Sequence, residues 1–180
     1  MIEKFIPNII TILRLLAIPP AILFMWNDQF SVALFIFAIA GVSDGVDGYL
    51  ARRFHWESPW GAAMDPIADK ALLVSTAAML TYKDLLPGWL FILMLGRDAT
   101  LLGGSFLYRI KFGPFDVQPS MLGKISTFIQ ILLLLSLMIH VAYGILTLSQ
   151  LDVLILLCTL ATLVSGLHYL WVWIRKALNE

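Results

Sequence analysis

Four aspartates stand in two pairs whose spacing suits helices. Asp44 and Asp47 lie three residues apart in "GVSDGVDGYLARRF", and Asp65 and Asp69 lie four apart in "GAAMDPIADK". Residues three or four apart share one face of a helix, so each pair would present two carboxylates together. Hard oxygen ligands of this kind suit Mg²⁺, Mn²⁺ or Ca²⁺, and no Cys/His cluster in the sequence offers a zinc site. Since Mg²⁺ usually recruits substrate phosphates, the residues predict a site for two divalent cations and a phosphate-bearing ligand.

The composition around these carboxylates is that of a membrane protein. The 180 residues are 60% hydrophobic and 13% charged, whereas a globular chain is roughly 45–50% apolar and about 25% charged. This excludes a soluble globular domain, and the net charge of zero gives no indication of a nucleic-acid partner. The single Cys158 excludes an intramolecular disulfide. We expect no cleavable signal peptide, because the first apolar segment is interrupted by Pro19 and Pro20 and lacks a small-residue cleavage site.

Six apolar segments predict six transmembrane helices in a single domain covering residues 1–180. The second segment is purely apolar only as far as Ser43, so it must continue through Asp44 and Asp47 to about Ala51 to span a bilayer. A carboxylate buried at that depth costs on the order of 2.5–3.5 kcal/mol, which bound cations would offset. The predicted helices are Asn8–Trp26, kinked at its two prolines, then 30–51, Pro66–Tyr82, Leu85–Tyr108, Ile125–Tyr143 and Leu151–Trp173.

The basic residues predict which side of the membrane each loop faces. Cytoplasmic loops carry the excess of Lys and Arg, and only Lys83 falls on the other side of the predicted helices. Both termini and the aspartate motifs therefore face the cytoplasm. We expect a bacterial cytoplasmic membrane, or the mitochondrial inner membrane if the chain is a processed form. The residues that set this orientation are Lys4, Arg52, Arg53, Arg109, Lys111, Lys124, Arg175 and Lys176.

Other polar residues inside the predicted helices have two interpretations each. Asn8, Thr11 and Arg14 recur every three residues along one helix face, where they would form a polar wall of a nucleotide or phosphate site; alternatively, Arg14 extends to the nearby membrane surface. Arg97, beside Asp98, either forms an ion pair with another helix or binds a substrate. Lys124 is either a phosphate contact or an ordinary cytoplasmic anchor.

The two aspartate pairs resemble the signature of the CDP-alcohol phosphotransferases at every position. The matching string is Asp44-x-x-Asp47-Gly48-x-x-Ala51-Arg52, eight residues, then Gly61-x-x-x-Asp65-x-x-x-Asp69. The opening "NIITILR" and the six-helix plan are similar too. The resemblance implies an enzyme, usually a homodimer, with six helices around a cytoplasm-facing polar cavity. It implies that the four aspartates bind two Mg²⁺ or Mn²⁺ ions and that Asp69 is also the general base. Gly48, Ala51, Arg52 and Gly61 would shape the pocket for the cytidine diphosphate group.

The acceptor has to be inferred from the fourth and fifth helices. The stretches "GRDATLLGGSFLYR" and "QPSMLGKISTFIQ" look most like the eukaryotic-type cardiolipin synthase branch, which implies transfer from CDP-diacylglycerol to phosphatidylglycerol with release of CMP. The Leu-Gly-Lys in the second stretch is also common in phosphatidylglycerophosphate synthases, whose acceptor is glycerol 3-phosphate. Arg97, Arg109 and Lys124 are the candidates for binding either acceptor. A hypothesis from another class is a divalent cation transporter, which would need carboxylates near the membrane midplane and a route to both faces.

Overall fold

The fold comes from a computed structural model, in which the structure describes residues 6–54, 59–112 and 120–178, with side chains at 11–43, 67–68, 70–104 and 120–175. Over these ranges the chain forms six helices and no strand. The all-α prediction is confirmed. The helices are α1 (Ile6–Trp26), α2 (Phe30–Phe54), α3 (Pro59–Tyr82), α4 (Gly88–Phe112), α5 (Met121–Tyr143) and α6 (Leu148–Leu178).

Two helices in the described part of the chain are long and apolar enough to cross a membrane. They are Met121–Tyr143 and Leu148–Arg175, and Thr11–Trp26 and Phe30–Ser43 are shorter apolar stretches. The helices thus have membrane character, and the six spans stay a prediction. Helix α2 does continue through the aspartate motif, as its short apolar part required, and ends at Phe54.

Several predicted helix limits were wrong, and two of them change where candidate residues lie. Helix α3 begins at Pro59 rather than Pro66, so Asp65 lies inside the helix instead of before it. Proline is favoured in the first turn of a helix because its missing N–H has no intrahelical partner there. Pro59 occupies that position, whereas Pro66 is the eighth residue of the helix. Helix α4 continues to Phe112, so Arg109 belongs to the helix rather than to the following loop. In both cases polar residues extend the helix beyond its apolar part.

The chain divides into two compact units, each with its own helix contacts. The first unit contains α1, α2 and α3 with Met138–Ile145, and α1 packs against both α2 and α3. Small side chains let these helices approach closely. Residues buried along the contacts include Ala21, Met25, Ala33, Phe37, Ala40, Ala68 and Leu80.

At one end of this first unit, the segment that joins α1 to α2 contacts the residues at the end of α3. We call this the pinned end. The Lys83 ammonium, just after α3, donates to the Trp26 carbonyl at 2.9 Å and to Asp28 Oδ1 at 2.6 Å. Trp26 also stacks on Tyr82, with ring centroids 5.1 Å apart. The last residues of α1 and α3 therefore meet the start of α2. It follows that α1 and α3 run parallel and α2 runs antiparallel to both.

The second unit contains α4, α6 and α5 as far as Leu137, and α4 packs against α6. Its buried residues on α6 are mostly small or polar and recur every three or four positions: Cys158, Thr162, Ser165 and Tyr169. Large apolar side chains on the other faces are exposed, such as Leu167 at 64%. Soluble amphipathic helices show the reverse pattern. This second unit is therefore arranged for apolar surroundings.

Candidate active site

The polar candidates of α1, α2 and α3 lie at similar distances from the pinned end. At a rise of about 1.5 Å per residue, Arg14 in α1 lies about 18 Å from it. Asp69 in α3 lies about 20 Å from it, and Asp44 in α2 about 21 Å. Since α1 packs against both other helices, the three helices carry these residues at one level of the unit, toward the end opposite the pinned one.

Asp44 and Asp47 continue the buried register of α2. The buried residues of this helix follow one another at alternating steps of three and four: Phe30, Ala33, Phe37 and Ala40. The same steps lead to Asp44, Asp47 and Ala51. That spacing is one face of a helix, so the first aspartate pair stands at the register that packs within the unit. The opposite face carries exposed Phe35 and Ile39.

The second pair has the same relation to α3. Leu72, Thr76 and Leu80 are buried at intervals of four, and Asp69 and Asp65 precede them at intervals of three and four. Both aspartates therefore belong to the register of the buried residues. The side chains of all four aspartates, and those of Gly48, Ala51, Arg52 and Gly61, lie outside the described residues. Their backbone positions are helical, which makes each predicted pair a true helical pair.

Thr11 and Arg14 bring a polar face of α1 into the packed interior. Thr11 is fully buried, and Arg14 is 2% exposed. A side chain extended to the membrane surface would be exposed, so the alternative given above for Arg14 was wrong. Asn8 precedes Thr11 by three residues in the same helix, and its side chain lies outside the described part. An arginine buried inside a helix of a membrane protein usually faces the protein interior or a cavity.

The donor set fits hard divalent cations. Four carboxylates on two helices of one unit, at helical spacing and within about one helical turn along the helices, match the oxygen ligands that Mg²⁺ and Mn²⁺ prefer. Among the residues whose side chains are described, no group of three or more His, Cys, Asp or Glu lies close enough to hold a metal. The aspartates lie outside that part of the chain, so they stay the candidates for this role.

A groove of about 430 Å³ runs between α1 and α2 beside these residues. Its walls are mostly apolar and include Leu13, Phe35 and Ile39, each with a largely exposed side chain. Arg14 and Ser43 also line it, and Ser43 directly precedes Asp44. The groove therefore joins an apolar surface to the polar level of the unit.

Arg97 is enclosed by protein acceptors in the second unit. Its guanidinium donates to Ser165 Oγ at 3.2 Å, to Asp98 Oδ1 at 2.7 Å and to the Gly123 carbonyl at 2.8 Å. The guanidinium carbon also lies 5.7 Å from the centroid of the Tyr169 ring. Arg97 does form an ion pair, but the predicted partner on another helix was wrong, because the acidic partner is the neighbouring Asp98 in α4. The bond to Ser165 connects α4 to α6, and the bond to the Gly123 carbonyl connects α4 to α5.

The other two candidates for binding the acceptor are Lys124 and Arg109, and the structure describes the side chain of Lys124 only. Lys124 lies in the first turn of α5 with an exposed side chain, as an anion contact requires. Arg109 lies in α4, and its side chain is outside the described residues. Sequence reasoning missed Tyr169 and Ser120, which contact this region. The one available signal was that Tyr169 follows Thr162 and Ser165 at helical steps of three and four.

Comparison with known proteins identifies the type of protein these features belong to. The model of the CDP-alcohol phosphatidyltransferase family matches residues 4–174. A protein of Streptomyces coelicolor named cardiolipin synthase (CMP-forming) is 39% identical over 132 residues, covering 68% of this chain and 60% of its own. A Drosophila melanogaster protein named probable cardiolipin synthase (CMP-forming) is 36% identical, covering 70% of this chain and 44% of its own.

A differently named relative matches over almost the whole length. The CDP-diacylglycerol–glycerol-3-phosphate 3-phosphatidyltransferase of Aquifex aeolicus is 31% identical over 177 residues, covering 97% of this chain and 94% of its own. The chain thus spans about half to three fifths of the two cardiolipin synthases and nearly all of this third protein. Two of the names state cardiolipin synthesis with formation of CMP, and the third states CDP-diacylglycerol and glycerol 3-phosphate.

Proposed function

The chain belongs to the CDP-alcohol phosphatidyltransferase family, a family of enzymes, and we propose that it transfers the phosphatidyl group of CDP-diacylglycerol to phosphatidylglycerol. CMP leaves and cardiolipin forms. One observation of the structure carries the proposal: Arg14 lies on α1, and Asp44 and Asp69 lie on the two helices packed against it, all at about 18–21 Å from the pinned end. A family match alone would not require these residues to share a level of the unit.

Each step of the reaction has a candidate residue. The acceptor hydroxyl oxygen attacks the phosphorus that carries the diacylglycerol, and the bond from that phosphorus to the CMP oxygen breaks. The Asp69 carboxylate takes the hydroxyl proton as the new bond forms. The Arg14 and Arg52 guanidinium groups would pair with phosphate oxygens of the donor. The groove beside Arg14 would receive one of its acyl chains.

The same aspartates would also hold the metals. Asp44, Asp47, Asp65 and Asp69 would bind two Mg²⁺ or Mn²⁺ ions, which neutralise the charge of the pyrophosphate when they are bound. Gly48, Ala51 and Gly61 lie in the helices that carry these ligands. We propose that they leave room for the cytidine diphosphate group.

Glycerol 3-phosphate is the second candidate acceptor, and one finding favours it. The relative named for that acceptor covers nearly the full length of both chains, whereas the two cardiolipin synthases are matched over part of theirs. Higher identity, 39% against 31%, favours phosphatidylglycerol. Both acceptors present a hydroxyl to the same donor, so the residues assigned above serve either reaction.

The surroundings of this site are part of the proposal. We propose six membrane-spanning helices in one domain, residues 1–180, around a polar cavity that opens to the cytoplasm. Both termini lie on that side of a bacterial cytoplasmic membrane or, for a processed chain, of the mitochondrial inner membrane. The working form is a homodimer. The helices of membrane character and the exposed apolar faces support this arrangement.

The deciding experiment compares the two acceptors on purified protein in mixed micelles. CDP-diacylglycerol is supplied with Mn²⁺ or Mg²⁺ and with either phosphatidylglycerol or labelled glycerol 3-phosphate, and CMP release and lipid product are measured. We expect CMP and cardiolipin with phosphatidylglycerol, and no CMP in the presence of EDTA. Product from glycerol 3-phosphate alone would refute the cardiolipin assignment and leave the phosphatidyl transfer standing.

The same preparation separates the enzyme from the cation transporter. Reconstituted vesicles would take up Mn²⁺ in the absence of any CDP-linked lipid if the carboxylates formed a transport site. We expect no such uptake above that of protein-free vesicles. If Mn²⁺ uptake depends on Asp69 and no acceptor yields CMP, the transporter hypothesis replaces the enzyme.

A further inference from the structure

A buried polar cluster holds the beginning of α5. Ser120 precedes the helix, and its hydroxyl accepts from the Gly123 N–H at 3.1 Å, as an N-cap does. The Ser120 N–H donates to the Tyr169 hydroxyl at 3.3 Å, and the Gly123 carbonyl accepts from the Arg97 guanidinium at 2.8 Å. We call Arg97, Tyr169, Ser120 and Gly123 the α5 clamp.

The clamp acts on one particular turn. Two of its bonds reach the backbone of Ser120 and Gly123, and Lys124 is the next residue, with an exposed side chain. We propose that Tyr169 and Arg97 are positioning residues that fix this turn, so that the Lys124 ammonium can meet the phosphate of the acceptor. The inference rests on the proposed function, in which either acceptor carries such a phosphate.

The cost of the cluster favours a role beyond packing. Arg97 is 4% exposed and Tyr169 is 4% exposed. A charged side chain inside a membrane helix costs on the order of 2.5–3.5 kcal/mol, and an apolar residue would fill the place without that cost. The contacts of the guanidinium to α5 go to Gly123 and, at 3.5 Å, to Thr127 one turn later. Two of the bonds that offset this cost therefore hold the first turns of α5, and the bond to Ser165 connects the same guanidinium to α6.

Gly123 shows how closely the parts fit. A Cβ at this position would overlap the Tyr169 hydroxyl and lie 3.1 Å from an Arg97 guanidinium nitrogen. The backbone of the turn can rest on both side chains only because the residue is glycine. A small shift of the tyrosine hydroxyl is therefore passed directly to the turn that carries Lys124.

The test is the variant Tyr169→Phe, which removes one oxygen and keeps the ring. CMP release is measured at varied phosphatidylglycerol and at varied CDP-diacylglycerol, and again with glycerol 3-phosphate as the acceptor. The bond from Ser120 to Tyr169 is partly buried, and losing one such hydrogen bond corresponds to about a fivefold change. We expect KM for the acceptor to rise about fivefold while KM for CDP-diacylglycerol stays unchanged. Whichever acceptor shows the rise is the source of the phosphate that Lys124 meets.

A matched control removes a different hydrogen bond, which is buried between α5 and α6. The Gln130 amide donates to Thr162 Oγ1 at 3.2 Å, about 9 Å further along α5 than Lys124 at 1.5 Å per residue. Thr162→Val should leave both KM values unchanged. If Thr162→Val raises KM for the acceptor as much as Tyr169→Phe does, the clamp is merely structural and the inference is overturned.

A double variant shows whether Tyr169 acts through Lys124. Lys124→Gln should raise KM for the acceptor, and adding Tyr169→Phe should raise it no further, because the group being positioned is already gone. If the rise in KM of the double variant equals the product of the two single rises, the inference is overturned and the proposed function stays intact. If the parent protein releases no CMP with either acceptor, the proposed function fails and the inference fails with it.

Discussion

Arg14 is the described side chain that bears most directly on the proposed donor site. It is almost completely buried, shares a face of α1 with buried Thr11, and lines the groove beside α2. Its guanidinium offers five donors in a planar fork that matches phosphate oxygens. Lysine keeps the charge without this geometry. Substitutions of Arg14 can therefore separate the contribution of charge to donor binding from that of bidentate hydrogen bonding.

Arg14→Met is expected to weaken binding of CDP-diacylglycerol. Hydrogen bonds to charged groups are worth about 1.5–3 kcal/mol, so KM for the donor should rise by a factor of about 10–100. Arg14→Lys should fall between this variant and the parent. Arg175→Met is the control, because Arg175 is exposed and its guanidinium stacks on Trp171 at 5.2 Å. Equal effects of the two methionine variants would argue against a phosphate contact at Arg14.

Asp69→Asn tests the proton transfer, since the amide has the same shape and accepts no proton. General-base catalysis contributes about 10²–10⁴-fold, so the rate of CMP release should fall by about that factor. Binding of CDP-diacylglycerol, measured by equilibrium dialysis, should fall by a smaller factor than the rate, because the lost metal ligand weakens binding of the donor whereas the lost base acts only in the transition state. Asp152→Asn, at an exposed position of α6, should change neither quantity. A loss of binding as large as the loss of rate would contradict the role as a base.

At the level of helices, the apolar pattern predicted which segments are helical better than local signals predicted where each helix begins and ends. The extension of α2 through Asp44 followed from the length a span requires, and the structure has it. The start of α3 could not be chosen between Pro59 and Pro66, because local helix signals favour both. The partners of Arg97 were beyond prediction, since Ser165 is 68 residues away. No spacing within one helix tells which other helix packs against it.

The contact between α4 and α6 offers two adjacent glycines in different surroundings. A Cβ on Gly104 would overlap the Trp173 indole, whereas one on Gly103 meets nothing within 4 Å. Gly104→Ala should therefore cost about 1–3 kcal/mol of unfolding free energy, as overpacking does. Gly103→Ala should be neutral or stabilising, because alanine favours a helix by about 0.5–1 kcal/mol over glycine. Thermal unfolding in detergent measures both, and equal midpoints would show that the indole moves aside at no cost.

Among the side chains that the structure describes, several polar ones are buried while many large apolar ones are exposed. In α5, Gln130 is 2% exposed and Phe128 is 65% exposed. In α6, Thr162 and Ser165 are fully buried while Leu160 is 51% exposed. Water would strongly disfavour this distribution, and lipid favours it, because a bilayer leaves helices to associate through small and polar side chains. The composition had predicted the membrane, but only the structure shows which faces would meet it.

The six-span arrangement predicts which positions an external reagent can reach. In a background with Cys158→Ser, Asp84→Cys and Ser149→Cys replace exposed residues. The six predicted spans would put both positions on the membrane side opposite the aspartate motifs. Glu57→Cys falls between α2 and α3, on the predicted cytoplasmic side. An impermeant thiol reagent applied to bacterial cells with a permeabilised outer membrane should label the first two variants. It should label Glu57→Cys only after the inner membrane is opened.

Each variant should still release CMP, which shows that it is folded. Because Lys83 and Asp28 are in contact, Asp28→Cys must be labelled from the same side as Asp84→Cys. Labelling of the two from opposite sides would contradict both the fold of the first unit and the six spans.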